Sequence, residues 1–136
     1  GFDPIHGGHV QLCKEAKLTD PDSLLCVGLN SDEWLIRKKG KYFMNFEERK
    51  EVIEALKFVD LAIPFNDDDD TACDAINLTL ELYNNVIFCN GGDRGDGTTP
   101  EYEKYKHDPR VTFLWGVGGD NKHNSSSWIL KRWSEK

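Results

Sequence analysis

Apolar positions fall in short runs and helical periods that alternate along the whole chain. Val10, Leu12, Cys13 and Ala16 recur at helical spacing, predicting a helix over 10–17 with one buried face. Thr19-Asp20-Pro21-Asp22 reads as a turn. Residues 24–29 form a continuous apolar run, the pattern of a strand covered on both faces. Asn30-Ser31-Asp32 caps a short helix through Ile36. Asn45 opens a stronger helix over 46–58, with Val52, Ile53, Leu56 and Val59 on its inner face. A strand at 61–65 follows, and the acidic segment 67–70 leads into a helix ending at Leu82. Residues 86–89 form another short strand, and Thr98-Thr99-Pro100-Glu101 starts a helix with proline in its first turn. A last strand at 111–115 runs into a glycine-rich loop, 116–124, and a final helix begins at Ser125.

Strands alternating with helices imply an α/β fold with a parallel sheet and right-handed crossovers. The 136 residues suit one domain, 1–136, with no internal repeat and no linker. An apolar share of 38% supplies a core, yet no run is long enough to span a membrane. The formal net charge of −7 argues against a nucleic-acid partner, which favours a basic stripe. Cys13, Cys26, Cys73 and Cys89 form no C-x-x-C pair, so they read as reduced thiols of a cytoplasmic protein.

Chemistry concentrates in the first ten residues, Gly1-Phe2-Asp3-Pro4-Ile5-His6-Gly7-Gly8-His9-Val10. His6 and His9 flank a glycine pair where a loop runs into the first helix. Free N–H groups and the positive dipole end of a helix attract anions, and glycine lets a phosphate approach the backbone. The motif therefore points to phosphate chemistry; the alternative is a capping or core histidine pair, or half of a metal site.

Phe2, Asp3, His6, Gly8 and His9 fit the pattern G-x-F-D-x-x-H-x-G-H, with Gly1 abutting it. The stretch resembles the signature of the nucleotidylyltransferase superfamily in its cytidylyltransferase-like branch. That resemblance implies a Rossmann-like three-layer α/β sandwich. It also implies a nucleoside triphosphate attacked at its α-phosphorus by a small phosphorylated acceptor, with pyrophosphate leaving. His6 and His9 would donate hydrogen bonds to the phosphate oxygens, with Gly1, Phe2, Asp3 and Gly8 shaping the nucleotide site. A first, central strand precedes the signature loop in that family, so the sequence reads as lacking about one strand, roughly six residues, upstream of Gly1.

The later loops extend the resemblance. Lys38-Lys39-Gly40-Lys41 lies where glycerol-phosphate cytidylyltransferases carry two functional lysines; Lys38 matches the first, and Lys41 is the expected acceptor contact. An ordinary solvated basic loop is the alternative. Asn45-Phe46-Glu47-Glu48-Arg49-Lys50 resembles the segment ending in a phosphate- or acceptor-facing arginine, which falls on Arg49. A surface arginine on an amphipathic helix would look the same. Asp32 would hold the acceptor's hydroxyls or cap its helix.

Asn90-Gly91-Gly92-Asp93-Arg94 resembles the nucleobase loop of heptose-phosphate adenylyltransferases, making Asn90, Gly92, Asp93 and Arg94 nucleotide-binding candidates. Lys122, Ser125, Ser126 and Ser127 belong to a stretch resembling the family's second signature, a hydroxyl cluster that holds the β- and γ-phosphates. The family's arginine position there falls on Asp120, a departure that bears on the acceptor. The resemblance implies transfer of CMP from CTP, or alternatively an adenylyl group to a sugar phosphate, or nucleotide binding without turnover. Mg²⁺ is expected with the triphosphate, and a homodimer is the family's expectation. The acidic run 67–70 reads as solvated surface.

Overall fold

The computed structural model describes residues 1–91, 99–118 and 126–134. Its elements follow the order α1 (Gly7–Thr19), β1 (Cys26–Leu29), α2 (Asp32–Lys39), α3 (Phe46–Glu54) and β2 (Leu61–Pro64). They continue with α4 (Cys73–Leu82), β3 (Val86–Gly91), α5 (Pro100–Tyr105), β4 (Val111–Val117) and α6 (Ser126–Ser134). This is the α/β alternation expected from the hydrophobic pattern, with every described strand pair parallel.

Local chemistry sets the helix starts. The Ser31 hydroxyl accepts the Trp34 N–H at 3.1 Å, Asn45 Oδ1 accepts that of Glu48 at 2.9 Å, and Thr99 accepts that of Tyr102 at 3.3 Å. Each such cap satisfies an orphan donor and contributes about 1 kcal/mol. Asp32 is therefore not the cap of α2; Ser31 is. Helix α3 stops earlier than its periodicity suggests, at Glu54. Tight i to i+3 bonds, Leu56 N–H to Ile53 C=O and Val59 N–H to Leu56 C=O, wind the chain inward after it. Ile53 and Val59 are thereby buried, whereas Val52, expected inside, is left 41% exposed.

Strand β1 pairs with β2 from Cys26↔Leu61 to Leu29↔Pro64. Strand β3 pairs with β4 from Val86↔Val111 to Gly91↔Val117, with an irregularity between Cys89 and Gly91. The described strands thus make two parallel pairs and not one continuous sheet. A largely apolar cleft of about 720 Å³ is lined by Leu12 and Cys13 of α1, Val27 of β1, Ala75 and Ile76 of α4, and Phe88 of β3.

Two apolar clusters anchor the pairs. Cys13, Val27, Leu29, Ile53, Val59 and Ala62 form the first, and Cys73, Ile76, Tyr105 and Val111 the second. Each fully buried aliphatic side chain there contributes about 1.5–3 kcal/mol. All four cysteines are free thiols, with Cys13 and Cys73 buried as expected and Cys26 and Cys89 half-buried. Strand β4 ends against α1: the Gly118 N–H donates to the Glu15 carboxylate at 2.6 Å. A Cβ at Gly118, whose φ is +90°, would stand 3.2 Å from the Leu12 Cα, so glycine serves both the turn and the close approach. The ends of β3 and β4 therefore meet α1 at Leu12, while the exit of β1 lies beside Gly1 through the bond from the Gly1 amino group to Asn30.

Candidate active site

His6 is the N-cap of α1, in extended conformation. Its Nδ1 accepts the Gly8 N–H at 3.0 Å, and its own N–H donates to His9 Nδ1 at 3.2 Å. This reciprocal capping box is built from imidazoles where a hydroxyl and a carboxamide or carboxylate usually serve. With Nδ1 accepting in both rings, each neutral imidazole carries its proton on Nε2. The rings stack with centroids 3.9 Å apart and 29° between planes, and Phe2 backs His9 at 4.5 Å. A Cβ on Gly8 would lie 2.9 Å from His6 Cε1, so the stack needs glycine there.

Burial holds the His9 pKa down at about 3 from an ordinary 6.5, with the charges of His6, the Gly1 amino group and Lys39 adding. His9 is thus a neutral donor throughout the physiological range. A neutral Nε2–H directed at a phosphate oxygen stabilises charge that develops there without itself surrendering a proton.

Asp3 is 1% exposed. Its carboxylate accepts the N–H groups of Phe43 and Met44, each at 2.6 Å, tying the signature loop to the segment between α2 and α3. Lys39 Nζ donates to the Asp3 carbonyl at 3.1 Å, so of the basic stretch it is Lys39 that meets the histidine loop. The lysine density of the stretch was legible; its register was not. Lys38 lies on the exposed last turn of α2 with Nζ 5.8 Å from the Trp34 ring centroid, and Lys41 is exposed beyond Gly40.

Arg49 is not the surface arginine that an amphipathic helix would carry. It is fully buried, and its guanidinium donates to the carbonyls of Met44 (3.0 Å), Gly1 (3.2 Å) and Asn30 (2.8 Å). It also pairs with Asp32 Oδ1 at 2.8 Å. Four of the five N–H donors of this buried guanidinium are thus spent on protein groups. The acidic run is likewise not simply solvated. Asp67, 2% exposed, accepts the Ser31 N–H at 2.7 Å and the Ser31 hydroxyl at 2.8 Å, joining the exits of β1 and β2. A polar residue directly after a strand was the available signal.

Asn90 ends β3 almost fully buried, and its Nδ2 finds no partner among the described residues. Gly92, Asp93, Arg94, Lys122 and Ser125 lie outside the described residues. Ser126 and Ser127 open α6, and their side chains lie outside the description as well.

A histidine-capped helix beside two parallel strand pairs places the chain among α/β proteins. The cytidylyltransferase-like family model matches residues 1–126, and the chain belongs to that family. It is similar to the bifunctional protein HldE of Geobacter sulfurreducens, 32% identical over 138 residues, covering 99% of this chain and 26% of that protein. It is also similar to glycerol-3-phosphate cytidylyltransferase of Bacillus subtilis, 29% identical over 82 residues, 60% of this chain and 62% of that one. FAD synthase of Archaeoglobus fulgidus is 37% identical over 68 residues, 50% of this chain and 47% of that enzyme. The chain therefore spans about a quarter of the first relative and under two thirds of the second. Among the described residues, no helix is long and apolar enough to cross a membrane.

Proposed function

We propose that this chain is a nucleotidyltransferase that moves CMP from CTP to a small phosphorylated metabolite, releasing pyrophosphate. The observation that carries the reading is the stacked pair His6 and His9, both with Nδ1 accepting and Nε2 bearing the proton, at the start of α1. A phosphate oxygen of the acceptor forms a bond to the α-phosphorus as the bond to the bridging pyrophosphate oxygen breaks. Charge grows on the non-bridging and leaving oxygens, where the Nε2–H groups of the two imidazoles, His9 in its neutral form, and the α1 dipole stabilise it. One such donor is worth about 3–4 kcal/mol in the transition state.

Lys38, Lys39 and Lys41 supply positive charge beside this loop, with Lys39 nearest through its bond to Asp3. Ser126 and Ser127 at the start of α6, with Lys122 and Ser125, are assigned to the β- and γ-phosphates, and the 90–94 loop to the nucleobase. Among the described residues no three His, Cys, Asp or Glu side chains converge on one point. Mg²⁺ is expected to accompany the triphosphate, held mainly by phosphate oxygens and water, where it would neutralise charge on the leaving pyrophosphate.

Adenylyl transfer to a sugar phosphate is the second reading, favoured because the similarity to HldE covers 99% of this chain and that to the cytidylyltransferase 60%. Pyrophosphate release measured with CTP and ATP against a panel of phosphorylated acceptors decides between them. Turnover with CTP is expected. Turnover with ATP alone selects the second reading, and nucleotide binding with no release from any pair overturns both.

A further inference from the structure

Phe2 adopts a left-handed backbone, φ +59°, which a bulky residue holds only when its surroundings impose it. Those surroundings are on either side of it. The Gly1 carbonyl before Phe2 accepts from Arg49, and the Asp3 carboxylate after it is clamped by the Phe43 and Met44 N–H groups. The Met44 carbonyl is bonded to Arg49 as well, so one buried guanidinium grips both the strained loop and the segment clamping it. Its remaining bonds, to Asn30 and Asp32, fix it to the exit of β1 and the first turn of α2. Phe2 in this conformation sets its ring against His9, which stacks on His6.

We infer that Arg49 is a positioning residue that acts through Phe2 to hold the His9–His6 stack in its donor geometry. The chain of contacts runs from guanidinium to the Gly1–Phe2 peptide, from the Phe2 ring to His9, and from His9 to His6. Arg49 itself is fully buried, and its described bonds all go to protein groups. Lysine cannot substitute, because one ammonium cannot span three carbonyls and a carboxylate in the plane that the guanidinium occupies. The kinetic part of this inference rests on the transferase reading above; the spectroscopic part does not.

The test combines Arg49→Lys with Arg49→Gln, which keeps one amide donor should the lysine variant fail to fold. In wild type, ¹⁵N imidazole spectra should show His6 and His9 as single Nε2–H tautomers. In a folded variant the Nδ1 and Nε2 signals should move toward averaged positions. Turnover of pyrophosphate release should fall at least tenfold, while KM for nucleotide and acceptor stays within about twofold. Adding Phe2→Leu to Arg49→Lys should cost little beyond the larger single effect, since both act on one path. A raised acceptor KM at unchanged kcat would make Arg49 a ligand and overturn the inference. Unchanged imidazole spectra in the folded variant overturn it too, even for a protein that transfers no nucleotide. Absence of pyrophosphate release from wild type sinks the transferase reading alone.

Discussion

His9 Nδ1 accepts the backbone N–H of His6 at 3.2 Å, so the second histidine of the motif orients itself by capping the helix that the first one begins. The same bond that ends the loop fixes the tautomer. Structure and chemistry therefore share one set of atoms, and replacing either ring disturbs both.

His6→Ala and His9→Ala are expected to lower turnover by two or more orders of magnitude, the loss of a preorganised donor. Single-turnover pyrophosphate release, with circular dichroism as a check on folding, measures this. Near-normal rates in both variants would remove the histidines from the reaction.

His9 should stay uncharged from pH 8 down to about pH 4, since its native pKa is about 3 against 6.5 when unfolded. Between those values the unfolded chain binds a proton that the native state refuses, so stability rises with pH across that window. The contribution is complete above pH 6.5 and is lost as pH falls toward 3. Urea midpoints from pH 4 to 7 should therefore climb, with a shallower slope in His9→Ala. An imidazole titration midpoint near 6.5 for His9 would contradict this.

Asp3→Ala removes the carboxylate that accepts the Phe43 and Met44 N–H groups. Hydrogen bonds to a charged group contribute about 1.5–3 kcal/mol each, so losing the pair is expected to cost on the order of 3 kcal/mol. Equilibrium urea denaturation reads it as a lower midpoint at constant m-value. A change under 0.5 kcal/mol would mean that the clamp does not form.

Gly8→Ala places a methyl group 2.9 Å from His6 Cε1 and 3.1 Å from its Nδ1. The ring must leave the cap, at a cost of about 1–3 kcal/mol, and turnover should fall more than tenfold. Gly7→Ala is the control, because a Cβ there meets nothing within 4 Å. Equal effects at the two positions would refute the steric argument.

Most elements were legible because period and caps are local properties. Ser31, Asn45 and Thr99 announce three helix starts, and the histidine pair announces phosphate chemistry. The sequence leaves Arg49 between a phosphate or acceptor contact and a surface arginine, and Asp32 between an acceptor contact and a helix cap, and it puts Val52 in the core. Whether a polar group faces solvent, ligand or protein depends on partners brought in from elsewhere in the chain. Arg49 finds Gly1, 48 positions away, and Asp32, 17 away. Asp3 finds its donors 40 and 41 positions on.

The sequence by itself determined the α/β alternation, the family and the residues able to donate to a phosphate, since these follow from periodicity and residue type. Tertiary structure alone decided which polar groups remain for that task. Burial makes an unpaired charge costly, so Arg49, Asp3, Asp32 and Asp67 were drawn into bonds with distant backbone and side chains. It also fixed the neutral state of His9, because desolvation acts on a folded surface that no single segment contains.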